Sequence, residues 1–184
     1  LFGANAASSG NNSDLLLLND GTGSYTNLSG NISPNPTVDD NDSKFFDYDN
    51  DGDMDVIVAR LGGTAERIYN NNGNGFFTQV TGLITSINDA SLDVKVADLT
   101  GDGRLDIVTA QGETGSFINR IYRNDTGPVD NRAPRIIATE GVANSTNVLA
   151  SYVVRAAILD DMSSDRNFFD RGVFLKYDID GGPL

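Results

Sequence analysis

The run Asp47-Tyr48-Asp49-Asn50-Asp51-Gly52-Asp53-Met54-Asp55-Val56-Ile57-Val58-Ala59 returns fifty-one positions later as Asp98-Leu99-Thr100-Gly101-Asp102-Gly103-Arg104-Leu105-Asp106-Ile107-Val108-Thr109-Ala110. A second element keeps nearly the same step. Asn19-Asp20-Gly21-Thr22-Gly23-Ser24-Tyr25-Thr26 is matched fifty-two positions on by Asn71-Asn72-Gly73-Asn74-Gly75-Phe76-Phe77-Thr78. A third copy opens at Asn124-Asp125-Thr126-Gly127 and then stops. Self-similarity at this period belongs to solenoids and propellers, because a unit too small to bury its own apolar face must stack on a neighbour like itself.

The order of elements within a unit is legible. An extended stretch from Leu92 to Ala97 leads into an Asp-rich loop, then a β-branched strand (Ile107 to Ala110), then a second strand (Asn119 to Tyr122) before a Gly/Asn turn. In the preceding unit the counterparts are Phe45-Phe46, the loop, Val56 to Arg60, Arg67 to Tyr69, the turn at Asn71 to Gly75, and Phe76 to Val80. Short strands divided by turn residues are the pattern of antiparallel hairpins. Four of them in about forty to fifty residues make one propeller blade. The rival arrangement, a β-sandwich with two similar loops, leaves the double match to coincidence. The expected fold is therefore all-β, with a partial β-propeller of two to three antiparallel blades over residues 1–127.

Composition points the same way. Of 26 acidic residues 23 are Asp, against Glu66, Glu113 and Glu140 alone, and Lys is confined to Lys44, Lys95 and Lys176. Exposed helix thus lacks its usual residues, while turns, with 20 Gly in the chain, are well supplied. With no Cys and no His there is no thiolate nucleophile, no disulfide, no imidazole base and no ordinary zinc site. A formal charge of −13 disfavours nucleic acid and anionic lipid as partners. No stretch approaches the ~20 apolar residues of a membrane-spanning helix, so no membrane insertion is expected.

The first loop sets carboxylates at positions 1, 3, 5 and 9 (Asp47, Asp49, Asp51, Asp55) with Gly52 at position 6. Side chains at 1, 3 and 5 converge on one point only if the backbone curls around it, and Gly52 permits that turn. Asp53 at position 7 would offer its backbone carbonyl, and Asp55 would close the shell from the first residue of the next strand. These are all hard oxygen donors, suited to Ca²⁺ more than to octahedral Mg²⁺ or to a metal seeking nitrogen or sulfur. An EF-hand is excluded by spacing: its twelfth position needs Glu, but here Val58 and Thr109 stand there, inside β-branched runs. A merely solvated turn would leave four carboxylates in nine residues repelling one another. The second loop keeps Asp98, Asp102 and Asp106, with the carbonyl of Arg104, but has Thr100 at position 3. One formal charge fewer, with Arg104 nearby, makes this the weaker site, and an ion-free loop stays open as its alternative.

The loops, the strands after them, and the phrases Arg67-Ile68-Tyr69-Asn70 and Asn119-Arg120-Ile121-Tyr122-Arg123-Asn124 resemble FG-GAP/VCBS repeats, the calcium-binding blades of integrin-α-like propellers and of many secreted bacterial proteins. The resemblance spans about residues 1–127 and is carried chiefly by the loops. The Phe-Gly and Gly-Ala-Pro signatures of that family are not evident, beyond a Phe2-Gly3 remnant. It implies a propeller of about seven blades with calcium in the loops and no chemistry of its own. A closed ring needs about twice the residues present, so an internal fragment of a longer protein is expected.

Past Asn124 the register is lost. Gly127-Pro128-Val129-Asp130-Asn131-Arg132-Ala133-Pro134 reads as a Pro-bearing linker, with 128–134 as its bounds. Beyond it, Arg135-Ile136-Ile137 and two alternating runs, Tyr152/Val154/Ala156/Ile158 and Val173/Leu175/Tyr177/Ile179, look like the start of an immunoglobulin-like or fibronectin-type sandwich over 135–184. The functional expectation is a non-catalytic, calcium-binding recognition or adhesion module of an exported multidomain protein, secreted or at the cell surface, with a protein or glycan ligand. The alternative is an accessory binding or spacer segment of a larger secreted enzyme, for example a carbohydrate-active one, whose catalytic domain lies elsewhere.

Overall fold

A computed structural model describes residues 2–3, 13–61, 65–112, 117–130, 135–139 and 155–159. Apart from one 3-10 turn at Ser29–Asn31, every regular element among them is a strand. The first sheet joins β1 (Phe2–Gly3), β2 (Leu15–Asn19) and β3 (Tyr25–Asn27), all antiparallel. The second contains β4 (Ile32–Ser33), β5 (Asp40–Phe46), β6 (Asp55–Arg60), β7 (Arg67–Asn71) and β8 (Phe77–Val80) in the order β4-β8-β7-β6-β5. The third orders β9 (Ser91–Ala97), β10 (Asp106–Gln111) and β11 (Arg120–Tyr122) as β11-β10-β9. The Asp-rich loops are thus the β5–β6 and β9–β10 connections. The Gly/Asn turns are the β2–β3 and β7–β8 connections.

Strand β6 shows why the sheets stack. Its Val56-Ile57-Val58-Ala59 run is buried on both faces, as a strand between two packed layers must be. Val56 and Val58 point to one side, where they meet Ile32, Tyr69 and Phe77 of their own sheet and Leu16 of the first. Ile57 and Ala59 point to the other and join Phe46 and Ile68 against Val94, Val96 and Ile107 of the third sheet and Leu105 just before β10. Period-two alternation within one strand therefore feeds two separate cores, and each of its buried Val and Ile side chains contributes roughly 1.5–3 kcal/mol. The chain forms a partial β-propeller, three sheets stacked face to face. The repeat extends to irregularities: the β5–β6 register skips Asn41 and the β9–β10 register skips Leu92, the same position one unit on.

Two features depart from a purely antiparallel four-strand unit. Strand β4 runs parallel to β8, with Ile32 opposite Phe77. The buried Ile32 side chain and a hydrogen bond from Asn31 Nδ2 to the Gly75 carbonyl (3.2 Å) place it there. The third sheet has three strands among the described residues. Ile121 of β11 is 67% exposed where its counterpart Ile68 is 4%.

Between the sheets lie buried ions. Arg67, at the head of β7, donates to Asp14 Oδ2 (3.2 Å), just before β2, and to Asp40 Oδ2, at the head of β5. Arg60 Nε lies 3.9 Å from Asp40 Oδ1. One unit later Arg120 pairs with Asp89 (2.6 Å), and Glu66, the counterpart of Asp14, accepts from Ser91 Oγ at the head of β9. Each joint thus carries an arginine–aspartate pair and an acid from the preceding sheet at the end of the blades opposite the Asp-rich loops, but in the second the acid, Glu66, is held by Ser91 and the Arg60 amide in place of the guanidinium.

In the C-terminal part, β12 (Arg135–Thr139) pairs antiparallel with β13 (Ala156–Leu159). Arg135-Ile136-Ile137 and Ala156/Ile158 therefore fall in strands. Tyr152, Val154 and the expected run from Val173 to Ile179 lie outside the described residues, as does most of the sandwich expected over 135–184.

Candidate metal centre

The first loop leaves β5 at Phe46 and re-enters the sheet at Asp55. Its curl uses two left-handed residues, Asn50 (φ 58°) and Gly52 (φ 100°), which the second loop matches with Gly101 (φ 73°) and Gly103 (φ 79°). The anticipated turn at Gly52 is therefore present in both units. Asp47 is the hub: its Oδ1 accepts from the Asp51 amide (3.1 Å) and its Oδ2 from the Gly52 amide (2.9 Å). Asp49 accepts from the Asp51 amide (3.3 Å) and from Asn70 Nδ2 (3.0 Å).

Asp55 is fully buried and ties two connections together. Its Oδ2 accepts from the Tyr48 amide (3.0 Å) and its Oδ1 from the Asn71 amide in the β7–β8 turn (2.8 Å). Asp106 repeats this with the amides of Leu99 (3.1 Å) and Asn124 (2.8 Å). Position 9 of the loop is thus a structural staple as well as a candidate ligand. The paired Asn71 and Asn124 were visible in the sequence as repeat positions, but nothing local connects them to an aspartate about seventeen residues earlier.

Of the five aspartates singled out in this loop, Asp47, Asp49 and Asp55 bring one carboxylate oxygen each within 4.8 Å of one another. Asp51 is not in this group; its Oδ1 accepts from the Asp53 amide (2.9 Å). The Asp53 side chain lies against Gly73, where a Cβ would come 2.4 Å from its Oδ2. Crowding shows in the electrostatics. Burial, countered by the amides of Asn71 and Tyr48 and reinforced by the charges of Asp49 and Asp47, pushes Asp55 up to about 7. A carboxylate has about four acceptor sites, so amide capping and cation binding are compatible on the same side chains. The donor set, three hard oxygens with two of the three residues buried, fits Ca²⁺.

The second loop is organised differently. Burial would raise Asp98, but the amides of Gly103 (2.9 Å), Gly101 (2.7 Å) and Asp102 (3.2 Å) together hold it below the ordinary carboxylate value. Asp102 accepts from the Arg104 amide (3.0 Å) and pairs with the Arg104 guanidinium at 3.4 Å. Thr100 is exposed at the tip. Among the described residues, Asp98, Asp102 and Asp106 do not form a second three-carboxylate group. Arg104 supplies this loop with a cation of its own.

A family model described as FG-GAP-like repeat matches residues 47–109, from the first residue of the first loop to the middle of β10. Repeats of this kind are propeller blades, in agreement with the stacked sheets, and they point to a binding or adhesion role. No curated protein and no solved structure matches the chain.

Proposed function

We propose that this chain is a non-catalytic, calcium-stabilised recognition or adhesion module of an exported multidomain protein, presenting its blades to a protein or glycan ligand. The observation that carries the proposal is the convergence of Asp47, Asp49 and Asp55 at a loop between two strands, inside a match to a repeat that commonly binds calcium. Asp47, Asp49 and Asp55 would hold the ion, which supplies the positive charge that three neighbouring carboxylates call for. In the extracellular concentration range, dissociation constants of about 10⁻⁴ to 10⁻³ M suffice for such modules. The loops serve geometry: their carboxylates are engaged with backbone amides that shape the blade edge, the role of a scaffold.

Calorimetric titration of the full chain with Ca²⁺, repeated on Asp49→Ala, tests this. Asp49 is chosen because, unlike Asp55, it does not staple two connections. A binding heat in the parent that is lost in the variant is expected; equal heats would overturn the assignment.

A further inference from the structure

The segment that follows β11 does not run clear of the blades. The chain turns at Asn124–Gly127, where the Gly127 amide donates to Asn124 Oδ1 (2.8 Å), and residues 127–130 then cross both Asp-rich loops. Hydrogen bonds from both loops hold this strap. Arg104 Nε donates to the Gly127 carbonyl (2.6 Å), the Asp130 amide donates to the Gly103 carbonyl (2.8 Å), and Asn50 Nδ2 donates to the Val129 carbonyl (2.9 Å). Val129 also packs on Gly103 so closely that a Cβ there would lie 2.7 Å from Val129 Cγ1. Two anchors belong to the second loop. The third, Asn50, belongs to the first and reaches across from the neighbouring blade.

The two loops hold the strap with different resources. The second carries Arg104, whose guanidinium touches both Asp102 and the Gly127 carbonyl. The first has no basic residue between Asp47 and Asp55, and three of its carboxylates face one another. Asn50 sits between Asp49 and Asp51 in the left-handed region, so the direction of its amide depends on the curl of that loop. Repulsion among Asp47, Asp49 and Asp55 works to open the curl; a divalent cation closes it.

We propose that calcium in the first loop acts as a switch for the strap, holding residues 127–130 across both loops and so fixing the direction in which the chain leaves the blades. Without the ion the strap loses its first-loop anchor, and the bonds that remain to the second loop, that of the Asp130 amide among them, open more often. This rests on the calcium assignment above, and it adds a consequence: the ion joins two blades to the segment that follows them.

The test is amide exchange by NMR on the full chain, reading the Asp130 amide in calcium and in chelator, alongside calorimetry. The informative variant is Asn50→Gly, which keeps the left-handed turn, as Gly101 does in the second loop, and removes only the side-chain amide. Calcium is expected to slow exchange at Asp130 about fivefold or more in the parent, the effect of one hydrogen bond. In Asn50→Gly the calcium heat should persist while the slowing disappears. Calcium heat in both proteins with identical Asp130 exchange would overturn the switch and leave the metal site standing. No calcium heat in the parent would overturn the metal site and the switch with it.

Discussion

Replacing Arg67 with methionine isolates the ion cluster that joins the first two sheets. The Arg67 side chain is 3% exposed and both of its partners, Asp14 and Asp40, are fully buried, so Arg67→Met leaves two carboxylates in the interior with the guanidinium gone. Arg60, 3.9 Å from Asp40, compensates only in part. Breaking a buried pair from one side costs about 3–5 kcal/mol, against a total domain stability of roughly 5–15 kcal/mol. In a domain of this size that corresponds to a fall in Tm of roughly 6–20 °C. Arg120→Met is the internal comparison: its partner Asp89 is also buried, at 4% exposed, but Arg120 itself is 29% exposed, so water reaches the single carboxylate left behind and the loss should be clearly smaller than in Arg67→Met. Urea unfolding of the three proteins at pH 7 measures this. The pH dependence is a second readout. Burial raises Asp40 above its ordinary value of 3.8 despite the opposing pull of Arg67 and Arg60. A carboxylate with a raised folded pKa takes up a proton on folding, so it favours the folded state more as pH falls through that raised value towards 3.8. Removing Arg67 raises Asp40 further, so the deficit of the variant should be greatest at neutral pH and shrink on acidification. A loss in Arg67→Met no larger than in Arg120→Met, or one that does not shrink with acid, would refute the reasoning.

Three further outcomes are expected. Asp106→Ala removes the acceptor of two backbone amides, those of Leu99 and Asn124, and should lower stability by about 2–4 kcal/mol in denaturant unfolding, whereas Asp102→Ala should cost less than about 1 kcal/mol; similar losses would mean that position 9 is not the staple. Thr100→Asp restores the third-position carboxylate of the second loop and should tighten calcium binding there in calorimetry; an unchanged or weaker affinity would show that Arg104 already satisfies that loop. Chelator should lower the melting temperature of the native chain, since a ligand at a hundredfold excess over Kd contributes about 2.7 kcal/mol; coincident melting curves would show that the ion is not structural.

Much of this protein is local and therefore readable along the chain. The left-handed turn at Gly52, the strands that begin at Asp55 and Asp106, and the meeting of Asp47 with Asp49 follow from turn chemistry and β-branched runs within a dozen residues, and the fifty-one-residue step follows from setting two such runs side by side. The difference between the loops was also present in Thr100 and Arg104. What only the tertiary structure decided lies in contacts between distant residues. Asp14, Asp40 and Arg67 look like ordinary surface charges in the sequence and become an ion cluster only when two sheets close over them. Asp55 becomes a staple because the β7–β8 turn returns to the same edge, and Asn50 becomes an anchor because Val129, seventy-nine residues later, passes over it. Local propensity sets which residues can curl or extend. Which of them share a desolvated space is settled by stacking, since a blade buries its faces only against its neighbours.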